Sequence, residues 1–262
     1  MIVLQTDRLA ISFGGVRAID GVSLSIAGAQ VFSIIGPNGS GKTTLFNMVS
    51  GLYRPNAGSI ELAGETVTAL APDQLARRGL SRTFQNLQIF TRMSVLENVM
   101  VGRHRHERTG VLADLLHWPT VARQNRATRD AAVAALARVG LVDSADRAAG
   151  SLAYGALKRL EIARALASEP KVLLLDEPAA GCNPVETEDI DRLIRSLVVD
   201  GITVVLVEHD MRLVMNISDR VHVLQSGKTL TEGTPEEGRS NPAVIEAYLG
   251  VHGSQEAGRA FD

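Results

Sequence analysis

Cysteine is almost absent from this chain: its 262 residues include one, Cys182. An intrachain disulfide is excluded, and the want of any cysteine framework is what a reducing compartment leaves, which points to the cytoplasm. Long apolar runs are missing too. The longest, Ala131 to Ala137, falls far short of the roughly 18 to 20 apolar residues that span a bilayer, so the chain is not expected to cross a membrane alone. The opening MIVLQTDRLAISFGG has acidic Asp7 close behind a very short apolar start. With no basic leader, longer apolar stretch or small-residue cleavage site, it is read as no signal peptide. Charge of one sign is lacking as well, since 27 Lys and Arg against 29 Asp and Glu give a formal net charge of -2. No global field gathers phosphates, nucleic-acid binding in general is disfavoured, and any nucleotide site must be local. The one dense basic patch, Arg103-His104-Arg105-His106-Glu107-Arg108, is read as a solvated loop, with an anionic lipid surface or an acidic partner as the alternatives.

Apolar residues, in contrast, make up 45% of the chain, enough to bury the core of one large domain or of a domain carrying a subdomain. The first third reads as strands and turns. Apolar runs at Leu9 to Phe13, Val22 to Ile26 and Val31 to Ile35 are punctuated by Gly14-Gly15, Gly21 and Gly28. Residues 41 to 50 suit a helix, and the Pro55-containing stretch after them breaks it before a short strand, Ser59 to Leu62. From about Gln85 to Gly150 strand signals thin out, with Arg129 to Val139 the clearest helix, so this segment is expected to form a helical subdomain inserted into an α/β core. Strand and helix alternation returns with Val172 to Leu175 and Ile202 to Val207. Between them Ile190, Leu193, Ile194, Leu197 and Val198 repeat at helical spacing, which predicts a crossover helix on a parallel sheet. Strands beyond Ser218 and a short helix near Val244 to Leu249 are expected to close the fold, and the last dozen residues to form a loose tail.

GPNGSGKT, Gly36 to Thr43, follows an apolar strand and opens a helix. This is the setting in which GxxxxGK[ST] cradles phosphates. Its glycines let the backbone N–H groups of a loop running through Gly36, Pro37, Asn38, Gly39, Ser40 and Gly41 turn inward, and the helix start adds its positive end. Lys42 supplies a point charge for the β and γ phosphates, and the Thr43 hydroxyl, followed by Thr44, is the expected Mg²⁺ ligand. Ligands in open α/β sheets bind beyond the carboxyl ends of the strands. Three apolar runs obey that rule here, ending in the phosphate loop, in Asp176-Glu177 and in Glu208-His209-Asp210. Asp176 is placed to hold Mg²⁺ directly or through its water, and Glu177 to act as base for an attacking water. His209 is placed to donate to a γ-phosphate oxygen or to orient that water. No NKxD or TKxD sequence reads guanine, which leaves ATP as the expected nucleotide. Phe13, in a glycine-flanked turn, is read either as a stacking platform for adenine or as an ordinary core aromatic.

Together these segments resemble an ABC ATPase over almost the whole chain. The resemblance adds a glutamine loop, Thr83-Phe84-Gln85-Asn86, and a signature region, Leu152-Ala153-Tyr154-Gly155-Ala156, before Arg159 to Leu166. It also adds a D-loop-like turn, Ala180-Gly181-Cys182-Asn183-Pro184, and makes His209 the switch histidine. RTFQNLQIFTRMSVLENV, the AYG of the signature, LDEPAAG, NP, VEHDM and NPAVIEAYLG are similar to LivG-type subunits of branched-chain amino-acid importers. The resemblance implies a P-loop NTPase core, a parallel sheet with helices plus an antiparallel part, over 1–84 and 166–250. The helical subdomain would take about 85–165, and 251–262 would be the tail. It also implies a nucleotide-sandwich dimer in which each ATP lies between one subunit's phosphate loop and the other's Ala153, Tyr154, Gly155 and Ala156. Gln85 would link the γ-phosphate and Mg²⁺ to the helical subdomain. The implied partners are permease subunits, a second ATPase subunit and, indirectly, a periplasmic solute-binding protein, with the chain on the inner face of the cell membrane. Two departures matter: Ala153 replaces the usual signature serine and shifts its task to backbone N–H groups at Gly155 and the helix start, while Ala156 replaces the usual glutamine and removes a polar contact. Cys182, where leucine is common, is read as a packed small residue. The rival readings are a soluble ABC ATPase acting on DNA or ribosomes, against which the single module and moderate insert argue, and a non-hydrolysing regulatory subunit, against which Lys42, Asp176, Glu177 and His209 argue.

Overall fold

The computed structural model describes residues 1–104 and 119–252. Residues 105–108 of the basic patch and all of the expected tail beyond His252 lie outside the described residues. In chain order the elements are strands β1 (Ile2–Phe13), β2 (Val16–Ala27) and β3 (Val31–Ile35), then helix α1 (Lys42–Val49). Next come β4 (Ala57–Leu62), β5 (Glu65–Thr66), α2 (Pro72–Arg77), β6 (Leu80–Arg82) and the helices α3 (Val95–Val101), α4 (Pro119–Arg138) and α5 (Tyr154–Leu166). The chain then runs through β7 (Val172–Asp176), α6 (Pro184–Val199), β8 (Thr203–Val207) and α7 (Met211–Ile217). It ends with β9 (Arg220–Gln225), β10 (Lys228–Gly233), α8 (Pro235–Ser240) and α9 (Pro242–His252).

The chain divides into two compact units, one formed by Met1–Arg82, Lys171–Glu177 and the chain from Ile194 onward, the other by Thr83–Pro170 and Pro178–Leu193. The first unit carries both sheets. A six-stranded sheet has the order β10-β9-β3-β8-β7-β6, parallel throughout except for β10 at its edge, and an antiparallel four-stranded sheet has the order β2-β1-β4-β5. Strands β3, β7 and β8 are buried at every residue, as parallel strands covered on both faces must be, and so their sequences are mainly apolar rather than alternating, with Ser33 inside β3, Asp176 ending β7 and Thr203 opening β8. Between the sheets, Leu4, Leu9, Ile19, Val22, Leu24 and Ile26 pack with Phe32, Ile34, Phe46, Leu174, Val205 and Val207. Each such side chain stabilises the fold by about 1.5–3 kcal/mol relative to exposure. On the other face of β3 and β9, Ile35, Val221 and Val223 pack with Met211, Val214 and Val244 from the later helices.

Strand β1 begins at Ile2, ahead of the expected Leu9 start, and its earlier part escapes an apolar count because exposed positions alternate with inward ones and one inward position is polar. Thr6 is buried, and its Oγ1 accepts the N–H of Leu24 at 2.9 Å across the hairpin, so a hydroxyl satisfies a strand that an apolar count would cut short. In the second unit α3 packs against α4 and α5, burying Val95, Leu96, Val99, Leu136 and Leu160. Helix α3 starts at Ser94, whose Oγ accepts from Glu97 N while the Glu97 carboxylate accepts from Ser94 N. Such a capping box satisfies two N–H groups that a helix start otherwise leaves open. This unit also takes in Pro178–Leu193, the turn after the acidic strand and the larger part of α6.

Candidate functional site: a nucleotide site at the rim of the parallel sheet

Strand β3 delivers Gly36, the first residue of the phosphate loop, against β9. Gly36 has φ 151°, and a Cβ there would lie 2.2 Å from the Leu224 carbonyl oxygen, so only glycine lets the loop leave the sheet at this point. Pro37 and Ser40 are buried, Asn38 and Gly39 are exposed, and Gly41 stands as the N-cap of α1. Lys42, at the first turn of that helix, folds back across the loop and donates to Gly36 O at 2.6 Å and Pro37 O at 3.2 Å. Burial lowers its pKa from the ordinary lysine value, while the nearby Glu177 and Asp176 carboxylates act in the opposite direction. Ser40 Oγ is buried with no hydrogen-bond partner among the described residues. An unfilled donor and a buried ammonium inside a glycine-shaped cradle suit a multiply charged phosphate group. Behind the loop, the Tyr248 phenol of α9 is pushed up to about 12 by burial, against a smaller opposing effect of the Gly36 backbone.

The acidic cluster is built by the ends of β7 and β8, which are paired in register from Val172 and Thr203 to Asp176 and Val207. Asp176 is buried. Glu177 follows with φ 50°, a left-handed backbone that costs a non-glycine residue on the order of 1–3 kcal/mol and concentrates at functional sites. Its N–H donates to Val207 O at 2.9 Å, which anchors this strained residue to the neighbouring strand. His209 is exposed, with Nδ1 3.7 Å from both Glu177 Oε1 and Glu208 Oε2, and Glu208 is buried, accepting from the N–H of His209 at 3.0 Å. Lys42, Asp176, Glu177 and His209, singled out separately in the sequence, thus belong to one unit and one neighbourhood of it. Thr43 and Thr44 lie on the first turn of α1 beside Lys42.

Arg82, at the end of β6, was not singled out in the sequence. Its Nη2 donates to Asp176 Oδ2 at 2.7 Å and its Nη1 donates to Asn47 Oδ1 at 2.6 Å and Ser50 Oγ at 2.8 Å. A cation at the carboxyl end of a sheet strand was the available signal, but its partners are far away in sequence. Phe13 is half exposed at the end of β1 and meets Tyr53 edge to face at 5.3 Å between ring centroids. Phe13 therefore lies outside the core, and Tyr53 is an aromatic neighbour that sequence reasoning missed.

Gln85 and residues 153–156 belong to the second unit. Helix α5 organises both segments: Glu161 Oε1 accepts from the N–H of Phe84 at 3.3 Å, and the Arg164 guanidinium donates to the Gln88 carbonyl, so the exposed Gln85 is bracketed by two backbone anchors. Burial raises the Glu161 carboxyl pKa, and the Phe84 N–H, Lys158 and Arg164 only partly offset it. At the start of α5, Ala153 and Tyr154 are exposed, Gly155 is buried and Ala156 is half-buried. The Gly155 N–H donates at 3.1 Å to Glu186 Oε1, and the same carboxylate accepts from Asn183 N at 3.1 Å through Oε2. A Cβ on Gly155 would stand 2.5 Å from Glu186 Cδ, so the glycine admits that carboxylate. Cys182 is partly buried in the turn before α6, its N–H donating to Ala179 O at 3.0 Å.

Among the described residues no three His, Cys, Asp or Glu side chains form a group able to hold a metal by themselves. The hard oxygens of Asp176 and Thr43 suit Mg²⁺, which keeps waters and commonly binds through one or two carboxylates together with substrate phosphates. No helix among the described residues is long and apolar enough to cross a membrane.

The family model described as ABC transporter matches residues 19–180, and a second, described as branched-chain amino acid ATP-binding cassette transporter, matches residues 228–254. The chain is 48% identical over 249 residues to the Pseudomonas aeruginosa high-affinity branched-chain amino acid transport ATP-binding protein BraF, covering 95% of this chain and 98% of that protein. It is 45% identical over 249 residues, with the same coverage, to the Escherichia coli K12 high-affinity branched-chain amino acid transport ATP-binding protein LivG. Among solved structures, the ADP conformation of MJ1267, an ATP-binding cassette of an ABC transporter, superposes with a TM-score of 0.84 at 34% identity, covering 95% of this chain and 99% of that one. From a phosphate loop and acidic strand ends gathered on one sheet rim, and from likeness along nearly its full length, the chain belongs to the ABC transporter family, among its LivG-type ATP-binding subunits.

Proposed function

We propose that the chain powers uptake of branched-chain amino acids or related small solutes through a membrane permease, with Lys42, Asp176, Glu177 and His209 as the residues that work on its ATP. The chain is an ATP hydrolase of the ABC type. The observation that carries the residue assignment is the convergence of these four side chains at the ends of β3, β7 and β8, with Glu177 held in a strained backbone by Val207 O. The solute rests on the names of the relatives and on the C-terminal family match.

In this reading Lys42 exchanges its two loop carbonyls for the β and γ phosphates, while the loop N–H groups and the α1 N-terminus take the remaining negative charge. Phe13 and its neighbour Tyr53 offer the adenine a face to stack on. Asp176 and Thr43 would hold Mg²⁺, and a bound Mg²⁺ supplies neutralisation of the phosphate oxygens. Glu177 accepts a proton from the attacking water as the water oxygen bonds to the γ-phosphorus and the bond to the β–γ bridging oxygen breaks, leaving ADP. His209 orients that water or donates to a γ-phosphate oxygen. A second ATPase subunit would present its signature segment to this nucleotide, and this chain's residues 153–156 would serve the partner's. Closure on ATP and parting after hydrolysis would then drive the permease on the inner face of the cell membrane, with a periplasmic binding protein delivering the solute.

Expression of the tagged chain with the permease genes adjoining its own, followed by membrane extraction and pull-down, tests the reading. The expected result is a permease complex whose ATP turnover rises with its binding protein loaded with a branched-chain amino acid and is lost in Glu177→Gln. A soluble, permease-free chain that instead follows nucleic acid at low salt would favour the alternative of an ABC ATPase not coupled to transport.

A further inference from the structure

We propose that Arg82 is a positioning residue that sets the orientation of the Asp176 carboxylate and its spacing from Thr43, and thereby the affinity of the ATP site for its divalent cation. The inference deepens the proposed function and rests on its assignment of Asp176 and Thr43 to Mg²⁺. Three elements meet at one guanidinium. Arg82 closes the edge strand β6, which runs parallel to β7 with Arg82 opposite Leu174. One arm of its planar fork reaches Asp176 Oδ2 at 2.7 Å, and the other spans Asn47 Oδ1 at 2.6 Å and Ser50 Oγ at 2.8 Å. Both side chains of the ion pair are nearly closed to solvent, 7% exposed for Arg82 and 5% for Asp176. The central guanidinium carbon also lies 5.4 Å from the centroid of the Phe46 ring, so the fork is packed as well as bonded.

The α1 partners make this more than a fold-stabilising pair. Asn47 follows Thr43 by one helical turn on α1, and side chains at that spacing share one face of a helix. Ser50 is the C-cap of the same helix, and its hydroxyl donates to Phe46 O at 2.8 Å, which leaves its oxygen to accept from Arg82. The two proposed cation ligands therefore stand on two elements, α1 and β7, that a single rigid fork ties together. A lysine ammonium carries the charge but cannot hold three acceptors in one plane. Outer partners of this kind orient the groups that touch a metal, and losing one typically weakens metal affinity about 10- to 100-fold.

The test uses the full-length chain with Glu177→Gln to slow turnover, and Mn²⁺ as a paramagnetic stand-in for Mg²⁺. Free Mn²⁺ is titrated by electron paramagnetic resonance at saturating ATP, and a fluorescent ATP analogue is titrated separately in EDTA. For Arg82→Lys we expect Mn²⁺ affinity to fall by about 10-fold or more, with metal-free nucleotide affinity unchanged within about twofold. Asn47→Ala, which keeps the ion pair and removes one clamp, should weaken Mn²⁺ by a smaller factor, and it carries the test alone if Arg82→Lys does not fold. Unchanged Mn²⁺ affinity in the folded variants would overturn the proposal, as would metal-free nucleotide affinity falling in step with it, since that marks general damage to the site. Asp176→Asn separates the layers: if that change alone leaves Mn²⁺ affinity intact, the cation assignment beneath the proposal fails, and the role of Arg82 with it.

Discussion

Glu177 combines two things that rarely coincide without a function, a left-handed backbone and a carboxylate within 3.7 Å of a histidine nitrogen. If it accepts the proton of the attacking water, Glu177→Gln should lower ATP turnover by about 100- to 10,000-fold while leaving ATP binding in place; phosphate-release and nucleotide-binding measurements on one preparation decide this, and turnover at the parental rate would remove Glu177 from its role. Ala156 poses a test in the other direction. It is half-buried at the first turn of α5, and restoring a polar contact with Ala156→Gln should raise turnover in the assembled transporter, so equal or slower turnover counts against the idea that this segment is weakened. Lys42, Asp176, Glu177 and His209 could be proposed from the sequence because each lies beyond the end of an apolar run, Lys42 on the far side of the phosphate loop. Arg82 and Glu186 were not, because what marks them is a partner: Asp176 is 94 residues from Arg82, and Gly155 is 31 from Glu186.

Strand boundaries were legible where both faces are buried and the apolar run is nearly continuous, as in β3 around its one Ser33, and illegible where exposed positions alternate with inward ones, as before Leu9 in β1. The role of α5 could not be read from its sequence at all, since Glu161 and Arg164 look like ordinary helical charges until they are seen gripping the backbone of Phe84 and Gln88. At its start the Gly155 N–H is already taken by Glu186. Gly155→Ala should displace that carboxylate, whose Cδ would lie 2.5 Å from the new Cβ. The expected outcome is a folded chain that binds ATP through its own loop but hydrolyses it at least about 10-fold more slowly in the assembled complex. Wild-type turnover in the complex would show that the start of α5 tolerates the shift. Helix α9 offers a pH signature. Tyr248 is raised from 10.0 to about 12, so the folded chain keeps a proton that the unfolded chain gives up between those values. Its contribution, on the order of 2–3 kcal/mol, is fully present below pH about 10 and is lost as pH climbs towards about 12. Urea unfolding at about pH 9 and about pH 11.5 should show that loss in the parent chain and a smaller one in Tyr248→Phe; equal losses would mean that the phenol is not buried behind the phosphate loop.

For the molecule as a whole, the charge balance is near neutral, and no helix among the described residues is long and apolar enough to cross a membrane. One unit carries the sheets and the phosphate loop, and the other carries Gln85 and residues 153–156. The α/β core was legible from the strand and helix alternation on either side of the segment from about Gln85 to Gly150. The inclusion of Pro178–Leu193 in that second unit was not, because only packing assigns a turn and half a helix to one neighbour over another. Whether Lys42, Asp176, Glu177 and His209 surround one triphosphate is measured by a crystal structure of the Glu177→Gln chain with ATP and Mg²⁺. It should show Lys42 Nζ turned from Gly36 O onto the β and γ phosphates, with Asp176, His209 and the substituted side chain that follows Asp176 gathered around the γ-phosphate. A triphosphate bound elsewhere, with Lys42 still on its two loop carbonyls, would contradict that arrangement.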